Sequence, residues 1–466
     1  MRGVIPPSPS RSRRTFLRGL LALAFSGATP ATPRALETAD REGTPLAPWQ
    51  WGQLDIHHIS TGRGDSTLIV APDGTTIMID AGAMYAHGPF NLDLKPNDTR
   101  RPGEWIARYA ARRLLAANSS ALDYLVVTHI HPDHIGDVDP SLPRASAGDY
   151  QLTGVSDVAA QLPVGVLLDR GAPDYANVDI RTAPFAQNYI RFVQTRLAAG
   201  ARVERLQAGV NKQIRPAKSP ALVKQARAFP TLDVRNIAVN ANVWTGHGDE
   251  SRQLFPSPPA VKPDDAPDEN TYSAAFRLTY GKFAYFAAGD LTSNTLDGDL
   301  PWRDVESRAA EVAGPVDVAV AAHHGLSDST GADVVRALRP RIWLIDAWHV
   351  SHPSITTLER LFSQRLYPGQ RDVFATGLSA ANALVNERLT KRFSSATGHV
   401  VIRVSPGGAS YRIVVTDNSD ESDRVVRVFG PYESADPRPA IKLTRSTCAR
   451  STDLCCESSE SIISLT

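Results

Sequence analysis

The feature that most constrains this chain is a run of metal-binding side chains directly after an apolar segment. Residues 122–127 have the composition of a buried strand, and the pattern His-x-His-x-Asp-His follows at residues 129–134. Three imidazoles and a carboxylate in so short a loop have little structural use, but they suit borderline divalent metals. We therefore predict a metal-binding loop, with His129 and His131 directed at one ion and Asp133 and His134 at the next.

Short apolar and alternating segments continue through most of the chain. Strands are predicted at residues 54–59, 66–70, 76–80, 122–128, 164–168, 273–280, 283–288, 316–321, 341–345, 371–375, 400–404 and 411–415. Helices are predicted at residues 103–117, 185–199, 332–338 and 356–363. The chain begins with strand hairpins and continues with alternating strands and helices, and this order of hairpins and alternation then occurs a second time. The pattern predicts an α/β fold of two mixed β-sheets with helices outside.

The N-terminal segment has the pattern of an export signal. Arg13 and Arg14 precede an apolar run at residues 19–25, and small residues follow up to residue 31. The paired arginines resemble a twin-arginine (Tat) signal, and an ordinary secretory signal is the alternative. We predict a signal peptide at residues 1–31, the Tat export machinery as a partner, and a periplasmic or secreted bacterial protein. The apolar run is too short for a membrane span, so no integral span is predicted.

The charge balance argues against one class of partner. Five of the 50 basic residues and no acidic residue lie within residues 1–31, so 45 basic residues face 49 acidic ones in the remainder, a net charge of −4. That balance does not suit nucleic-acid binding through bulk charge. The cysteines Cys448, Cys455 and Cys456 lie in the C-terminal tail, so the body does not depend on disulfides.

Three further predicted strand ends carry acidic residues or histidines. Asp80 ends the third predicted strand, Asp290 follows the second hairpin, and His323-His324-Gly325 follows the strand at 316–321. Each of these is a weak signal alone. Their order along the chain and their placement at strand ends support the metal site predicted from residues 129–134.

With these motifs the sequence resembles the metallo-β-lactamase fold superfamily of hydrolases. The resemblance implies a four-layer αββα sandwich, with Asp80 beneath the metal loop and Asp290 bridging two divalent ions, zinc or manganese. It also implies a last histidine ligand. We favour His323, which leaves its strand first, with His324 as the alternative; the other then hydrogen-bonds a ligand.

Within the superfamily, the sequence resembles the ComEC-like hydrolase group over residues 50–415. The resemblance rests on the Gly-rich segment with Gly-Asp-Ser at 64–66, on residues 268–273 and 323–325, and on His352-Pro353-Ser354. The group includes the soluble domain of DNA-uptake channels and phosphodiesterase relatives, but the channel's membrane helices are absent here. We divide the chain into a signal at 1–31, a linker at 32–49, a hydrolase domain at 50–416 and an extension at 417–466 with a disordered end.

One family ligand has no clear counterpart. Many members carry a further histidine between the metal loop and the bridging Asp, and here that interval holds only His247. His247 is either that ligand or a surface residue. If it is a surface residue, water, Glu269 or Asn270 could occupy the ligand position on the metal instead. His87, in a loop after Asp80, could face the cleft.

The predicted activity is hydrolysis of a phosphoester or phosphodiester by a water that two metal ions acidify. The predicted ligands are His129, His131, Asp133, His134, Asp290 and His323. Asp133 would also orient the water, and His352, at a helix start, would protonate the leaving group or bind an anionic oxygen. Arg170 and Asn270 would bind substrate, although a salt bridge is an equal reading for Arg170.

Two other functions remain open at this point. One is a lactonase or a β-lactamase-like hydrolase of amides or esters. The other belongs to a different class: a secreted binding protein whose metal site has degenerated. Metal content separates the binding protein from the enzymes, and a panel of phosphodiesters and lactones separates the two enzymes.

Overall fold

The structure, a computed structural model, describes residues 40–85, 90–216, 218, 229–256 and 261–435. Its strands are β1 Leu54–His58, β2 Thr67–Val70, β3 Thr76–Ile79, β4 Leu122–Val126, β5 Val164–Asp169, β6 Arg202–Arg205, β7 Asp233–Val239, β8 Asn242–Trp244, β9 Ser251–Gln253, β10 Ala275–Tyr280, β11 Phe283–Ala287, β12 Val318–Val320, β13 Ile342–Ile345, β14 Asp372–Ala375, β15 His399–Val404, β16 Ser410–Thr416 and β17 Val425–Glu433. The first sheet has the order β17-β16-β15-β1-β2-β3-β4-β5-β6, and the second has the order β14-β13-β12-β11-β10-β7-β8-β9.

Most of the helices connect parallel strands of one sheet. The helices are α1 Pro102–Ala116, α2 Pro132–Ile135, α3 Gly154–Gln161, α4 Pro184–Ala198, α5 Val305–Ala313, α6 Ala332–Leu338, α7 Ile355–Leu361, α8 Ala380–Val385 and α9 Glu387–Thr390. The last two, α8 and α9, lie between the last strand of the second sheet and β15 of the first. Three of them begin with proline, whose fixed φ and missing N–H suit the first helical position. Among the described residues, no helix is both long and apolar enough to cross a membrane.

Three apolar clusters give the molecule four layers. The middle cluster joins inward side chains of both sheets, such as Ile56 and Leu278. A second cluster packs the outer face of the first sheet on α1, α3 and α4, and a third packs the outer face of the second sheet on α5, α6 and α7. Successive side chains of a strand point to opposite faces, so each sheet buries both sides. The predicted α/β fold with two mixed sheets in an αββα sandwich is confirmed.

Parallel pairing brings the chemistry-bearing strand ends together. In the first sheet β3, β4 and β5 run parallel, and in the second sheet β11, β12, β13 and β14 do. The carboxyl ends of parallel strands share one edge of a sheet, which is where ligands bind in open α/β sheets. The metal loop after β4 and Asp290 after β11 therefore reach the same end of the sandwich.

The chain differs from the predicted boundaries at both ends of the domain. Residues 40–49, predicted as part of a linker, lie against the first sheet: Gly43 N donates to Val425 O at 2.8 Å, and Leu46 and Trp49 are buried. The first sheet also continues past residue 416, because β17 pairs antiparallel with β16. Residues 1–39 and 436–466, which hold the predicted signal and the tail cysteines, lie outside the described residues.

Candidate metal centre

The loop after β4 directs its histidines and its isoleucine to different surroundings. Ile130 is fully buried in the apolar cluster outside the first sheet. His129 is buried as well, with Nδ1 3.2 Å from Thr128 Oγ1 and Nε2 3.2 Å from His131 Nδ1. We call His129 and His131 the first ligand pair, because two imidazole nitrogens at this separation can bind one ion.

The other two residues of the motif lie on the single turn of α2, and we call Asp133 and His134 the second ligand pair. Asp80 orients His134: its Oδ2 lies 2.8 Å from His134 Nδ1, and its carboxylate accepts hydrogen bonds from Thr128 N and Thr128 Oγ1 at 2.8 and 2.6 Å. A carboxylate on one ring nitrogen fixes the tautomer and leaves the other nitrogen for a metal. Asp80 therefore lies beneath the loop, as the sequence predicts.

Asp290 is the carboxylate that both halves of the centre share. Its Oδ1 lies 3.2 Å from His134 Nε2, and its Oδ2 lies 3.8 Å from His129 Nε2 and 3.4 Å from His324 Nε2. The side chain is 2% exposed. This central position is the one that a bridging ligand requires, although the bridging role itself stays a prediction.

His324 points into the centre from the loop after β12. Its Nδ1 lies 3.0 Å from Asp346 O, and its Nε2 lies 2.9 Å from Asp133 Oδ2. Asp65, His134, Asp290 and His324 each offer one ligand atom within 4.8 Å of all the others. The structure thus places the alternative histidine, rather than the favoured one, beside the second ligand pair.

His323 lies at the rim of the same cluster. Its Nδ1 is 3.0 Å from Asp328 Oδ1, and its Nε2 is 3.2 Å from Asn270 Nδ2 and 3.9 Å from Asp290 Oδ2. Both His323 and His324 have a positive φ, +48° and +54°. Such a backbone is strained for a residue with a side chain, and such strain clusters at functional sites.

Asp65 also joins the cluster, although it is not among the ligands predicted from the sequence. It lies between β1 and β2, with Oδ1 3.1 Å from His324 Nδ1, and burial raises its pKa to about 6. Two glycines make this placement possible: a Cβ on Gly64 or Gly82 would lie 2.4 or 1.8 Å from Asp133 O. Only glycine permits this close approach of three loops.

The donor set fits divalent metals. His134 Nε2 and Asp290 Oδ1 form a buried ion pair at 3.2 Å, and beyond it neither atom has a hydrogen-bond partner within the described part of the chain. Buried polar atoms normally find partners, and two ligands of one tetrahedral zinc ion lie about 3.3 Å apart. The cluster thus has the spacing of atoms that share an ion.

The carboxylates of the cluster also require nearby positive charge. Burial opposes the charge of His134, but Asp290, Asp133 and Asp80 outweigh it and hold the pKa of His134 well above its usual value. Burial opposes ionisation of Asp290 as well, but His134 and His324 keep its pKa well below the usual range. Several carboxylates share this buried space, so positive charge must balance them, and either protons or divalent ions can supply it.

Arg170 corrects one prediction. Its side chain has no exposed surface and forms a bidentate ion pair with Glu269, with Nε 2.6 Å from Glu269 Oε1. Its remaining nitrogen donates to Asn240 Oδ1 at 2.8 Å and to Asn177 O at 3.3 Å. Arg170 therefore makes a buried salt bridge, which was the other reading, and does not face a substrate.

The other predicted residues differ in how close they lie to the centre. His352 is buried and stacks on His324 with ring centroids 4.5 Å apart, and its Nδ1 has no hydrogen bond among the described residues. Asn270 is 9% exposed beside His323. His247 is exposed in the turn between β8 and β9, and His87 lies outside the described residues.

Comparisons with known proteins agree with this geometry over part of the chain. Residues 60–150 match the family model of the metallo-beta-lactamase superfamily, and that segment contains Asp65, Asp80 and the whole His-x-His-x-Asp-His motif. For this segment the predicted resemblance to the superfamily is confirmed. The narrower ComEC-like assignment stays a prediction.

One curated protein and two solved structures show what the chain is similar to. The chain is 32% identical over 94 residues to a UPF0173 metal-dependent hydrolase from Haloquadratum walsbyi, which is 20% of this chain and 30% of that protein. It thus spans about three tenths of that relative's length. Zn²⁺-bound PqqB from Methylobacterium extorquens shares 9% identity at a TM-score of 0.34, covering 75% of this chain and 99% of that one. A diphosphatase from the PhnP family shares 11% identity at a TM-score of 0.30, covering 75% and 96%.

Proposed function

We propose that this protein is a metal-dependent hydrolase that binds two divalent ions and cleaves a phosphoester or phosphodiester. Zinc is the favoured metal, and manganese is the alternative. The observation that carries the proposal is the buried ion pair of His134 Nε2 and Asp290 Oδ1, 3.2 Å apart, whose atoms have no other hydrogen-bond partner among the described residues. Around it lie the first and second ligand pairs and His324. A degenerate binding protein would have no reason to keep so many donors directed at one point.

When bound, the ions would supply Lewis acidity and make a water acidic enough to act as nucleophile. Asp133 can accept a hydrogen bond from that water and orient it, because His134 and His324 outweigh its burial, hold its pKa well below the usual range and keep the carboxylate ionised. The ionised carboxylate already lies 2.9 Å from His324 Nε2, at the edge of the ligand cluster. These contacts support the two roles proposed for Asp133, as a ligand and as the residue that orients the water.

His352 and Asn270 are the residues proposed to contact substrate. Burial and the neighbouring His324 lower the pKa of His352 well below its usual value, so the ring is neutral and can donate one N–H to an anionic oxygen. Asn270 Oδ1 has no hydrogen bond within the described residues, so this amide has unused capacity for a polar group. A neutral donor such as the His352 N–H can position a substrate oxygen without competing with the ions for it, whereas Asn270 Oδ1 can accept a hydrogen bond from a substrate donor.

The phosphoester class rests on two arguments. A dinuclear centre can hold both the attacking and the leaving oxygen of an in-line displacement. The Gly-Asp-Ser turn at Asp65 and the His352-Pro353-Ser354 segment resemble the ComEC-like group, which includes phosphodiesterases. The twin-arginine pattern further supports an exported protein, loaded with metal before export and located in the periplasm or outside the cell.

Metal content and turnover of the full chain test this proposal. Elemental mass spectrometry should find two equivalents of metal, and the loaded protein should hydrolyse bis-p-nitrophenyl phosphate faster than a lactone. Asp290→Ala should bind less metal and lose turnover, whereas Asp55→Asn, which breaks a buried ion pair in the first sheet, should retain both. Protein without metal after zinc or manganese supplementation would disprove the hydrolase, and metal with lactone turnover alone would disprove the phosphoester class.

A further inference from the structure

A buried ion pair lies beside the first ligand pair and holds the loop that carries it. Glu269 is 4% exposed, at the start of the short 3₁₀ turn Glu269–Tyr272 that precedes β10. Its Oε1 accepts a hydrogen bond from Ile130 N at 2.9 Å. Ile130 is the residue between His129 and His131, so this bond acts at the centre of the first ligand pair.

A second bond from the same segment holds the other side of His129. Ala274 N donates to Thr128 O at 3.0 Å. The peptide groups before and after His129 are thus bound to one segment, residues 269–274, that enters from the second sheet. Rotation of either peptide would turn the His129 ring away from Asp290.

Arg170 fixes Glu269 in place. It lies directly after β5 and donates to both carboxylate oxygens of Glu269, while Nη1 donates to Asn240 Oδ1. The guanidinium also lies 4.8 Å from the ring centroid of Tyr272. A planar bidentate fork holds a carboxylate in one orientation, which a single hydrogen bond does not.

A second buried pair of the same chemistry has no such connection. Arg403 donates to both oxygens of Asp55, at 3.0 and 2.7 Å, and the two residues face each other across β15 and β1. Arg403 also donates to Asp40 and to Ala47 O. None of these described contacts reaches the metal loop, so the Arg403–Asp55 pair serves the sheet alone.

We infer that Arg170 and Glu269 are positioning residues that set the metal affinity of the first ligand pair. The inference rests on the metal centre of the proposed function. It places their effect on the ion bound by His129 and His131, because Asp80 contacts His134 of the second ligand pair directly and reaches His129 only through Thr128. Partners that orient metal ligands typically contribute 10–100-fold to affinity.

The test is a titration of the full chain with Zn²⁺ against a competing chelator, which resolves the two binding steps. Glu269→Gln keeps an oxygen for Ile130 N but removes the charge and one acceptor of the fork. We expect one step to weaken by about 10–100-fold and the other to stay unchanged. His131→Ala identifies the affected step as that of the first ligand pair. Asp55→Asn, the matched control, should lower the melting temperature and leave both steps unchanged.

The inference is overturned if Glu269→Gln binds both zinc ions as tightly as the unaltered protein while its melting temperature falls like that of Asp55→Asn. If Glu269→Gln does not fold, Arg170→Met with Glu269→Leu removes both charges together, which proteins tolerate better than one unpaired buried charge. That double variant should weaken the same step. Unaltered protein that binds no zinc would overturn this inference and the proposed function together, whereas zinc binding without hydrolysis would count against the proposed function alone.

Discussion

The protein buries two groups of histidines, and they differ in what their ring nitrogens contact. In the metal centre, His134 and His324 each bond an oxygen through Nδ1 and turn Nε2 toward Asp290. The second group lies within strands of the first sheet: His57, His58 and His399. Their contacts are hydroxyl groups, a carboxylate and a backbone amide, so they complete hydrogen bonds inside the fold.

Individual contacts show the difference. His57 Nδ1 lies 3.0 Å from Tyr109 OH, and His399 Nδ1 accepts a hydrogen bond from Ser60 N at 3.0 Å. Burial lowers the pKa of His57 well below the usual value and that of His399 to about 4. In the metal centre, carboxylates raise the pKa of His134 and His324 instead. Burial alone therefore does not mark a functional histidine; a ring nitrogen left to face other ligands does.

The largest effect should come from removing the shared carboxylate. We expect Asp290→Asn to bind at most one metal equivalent and to lose more than about 100-fold in turnover, because losing a shared ligand should exceed the 10–100-fold cost of losing an orienting partner. Elemental mass spectrometry and phosphodiester turnover measure the two losses. Asp290→Asn protein that retains two equivalents would show that Asp290 does not bridge the halves.

The adjacent histidines after β12 sharpen the comparison within the centre. Replacing His324, whose side chain is 1% exposed, should weaken zinc binding by about 100-fold. His323, with a side chain 15% exposed, should cost about 10-fold when replaced. Zinc titrations of His324→Ala and His323→Ala measure both, and each variant is the control for the other. The reverse order would restore His323 as the principal ligand.

The strand histidines should affect how the stability of the protein depends on pH, and not how tightly it binds metal. The pKa of His399 is about 4 in the folded protein against 6.5 for an ordinary histidine, so the unfolded chain takes up the proton first as the pH falls. Stability linked to His399 is thus present above pH 6.5 and is lost as the pH falls to about 4, by about 3 kcal/mol.

His399→Phe should remove that part of the pH dependence. Urea unfolding of metal-free protein across this range measures the free energy of unfolding without interference from metal release. Equal pH slopes for the variant and the unaltered protein would contradict a buried neutral His399. If the variant is also less stable at every pH, that constant loss reports only the missing Ser60 hydrogen bond.

The smallest effect should come from the hydroxyl that His57 contacts. Tyr109→Phe removes one buried hydrogen bond and should cost about 1 kcal/mol of stability. Zinc affinity should not change, because Tyr109 lies on α1 and packs against His57 of β1. It is not one of the residues of the described ligand cluster. A measurable change in zinc affinity would show that the two groups of histidines are coupled.

Much of the architecture could be predicted from local patterns. The hairpin of β2 and β3 shows in the Asp73-Gly74 turn, and β10 and β11 lie where alternating residues flank Gly281. Strands β7, β8 and β9, which form one end of the second sheet, are not among the predicted elements. β7 mixes charged and amide residues, and Asn236, buried within it, interrupts its apolar pattern.

The site was predictable in its residue types but not in its pairings. The residues of the metal loop, Asp80 and Asp290 lie where their strand ends indicated. Arg170 could not be assigned, because its partner Glu269 is 99 residues away and enters from the other sheet. Asp65 could not be assigned either, because its proximity to His324 depends on three loops meeting at Gly64 and Gly82.

The sequence by itself determined the sandwich of two mixed sheets, the loop that carries the metal ligands and the strand ends that supply the rest. Those features are local, since side-chain periodicity and ligand spacing depend on neighbours along the chain. Only the tertiary structure decided which of His323 and His324 faces the second ligand pair, and that Arg170 holds the loop instead of a substrate. These outcomes depend on burial and on partners far apart in the chain, which become neighbours only when the two sheets pack.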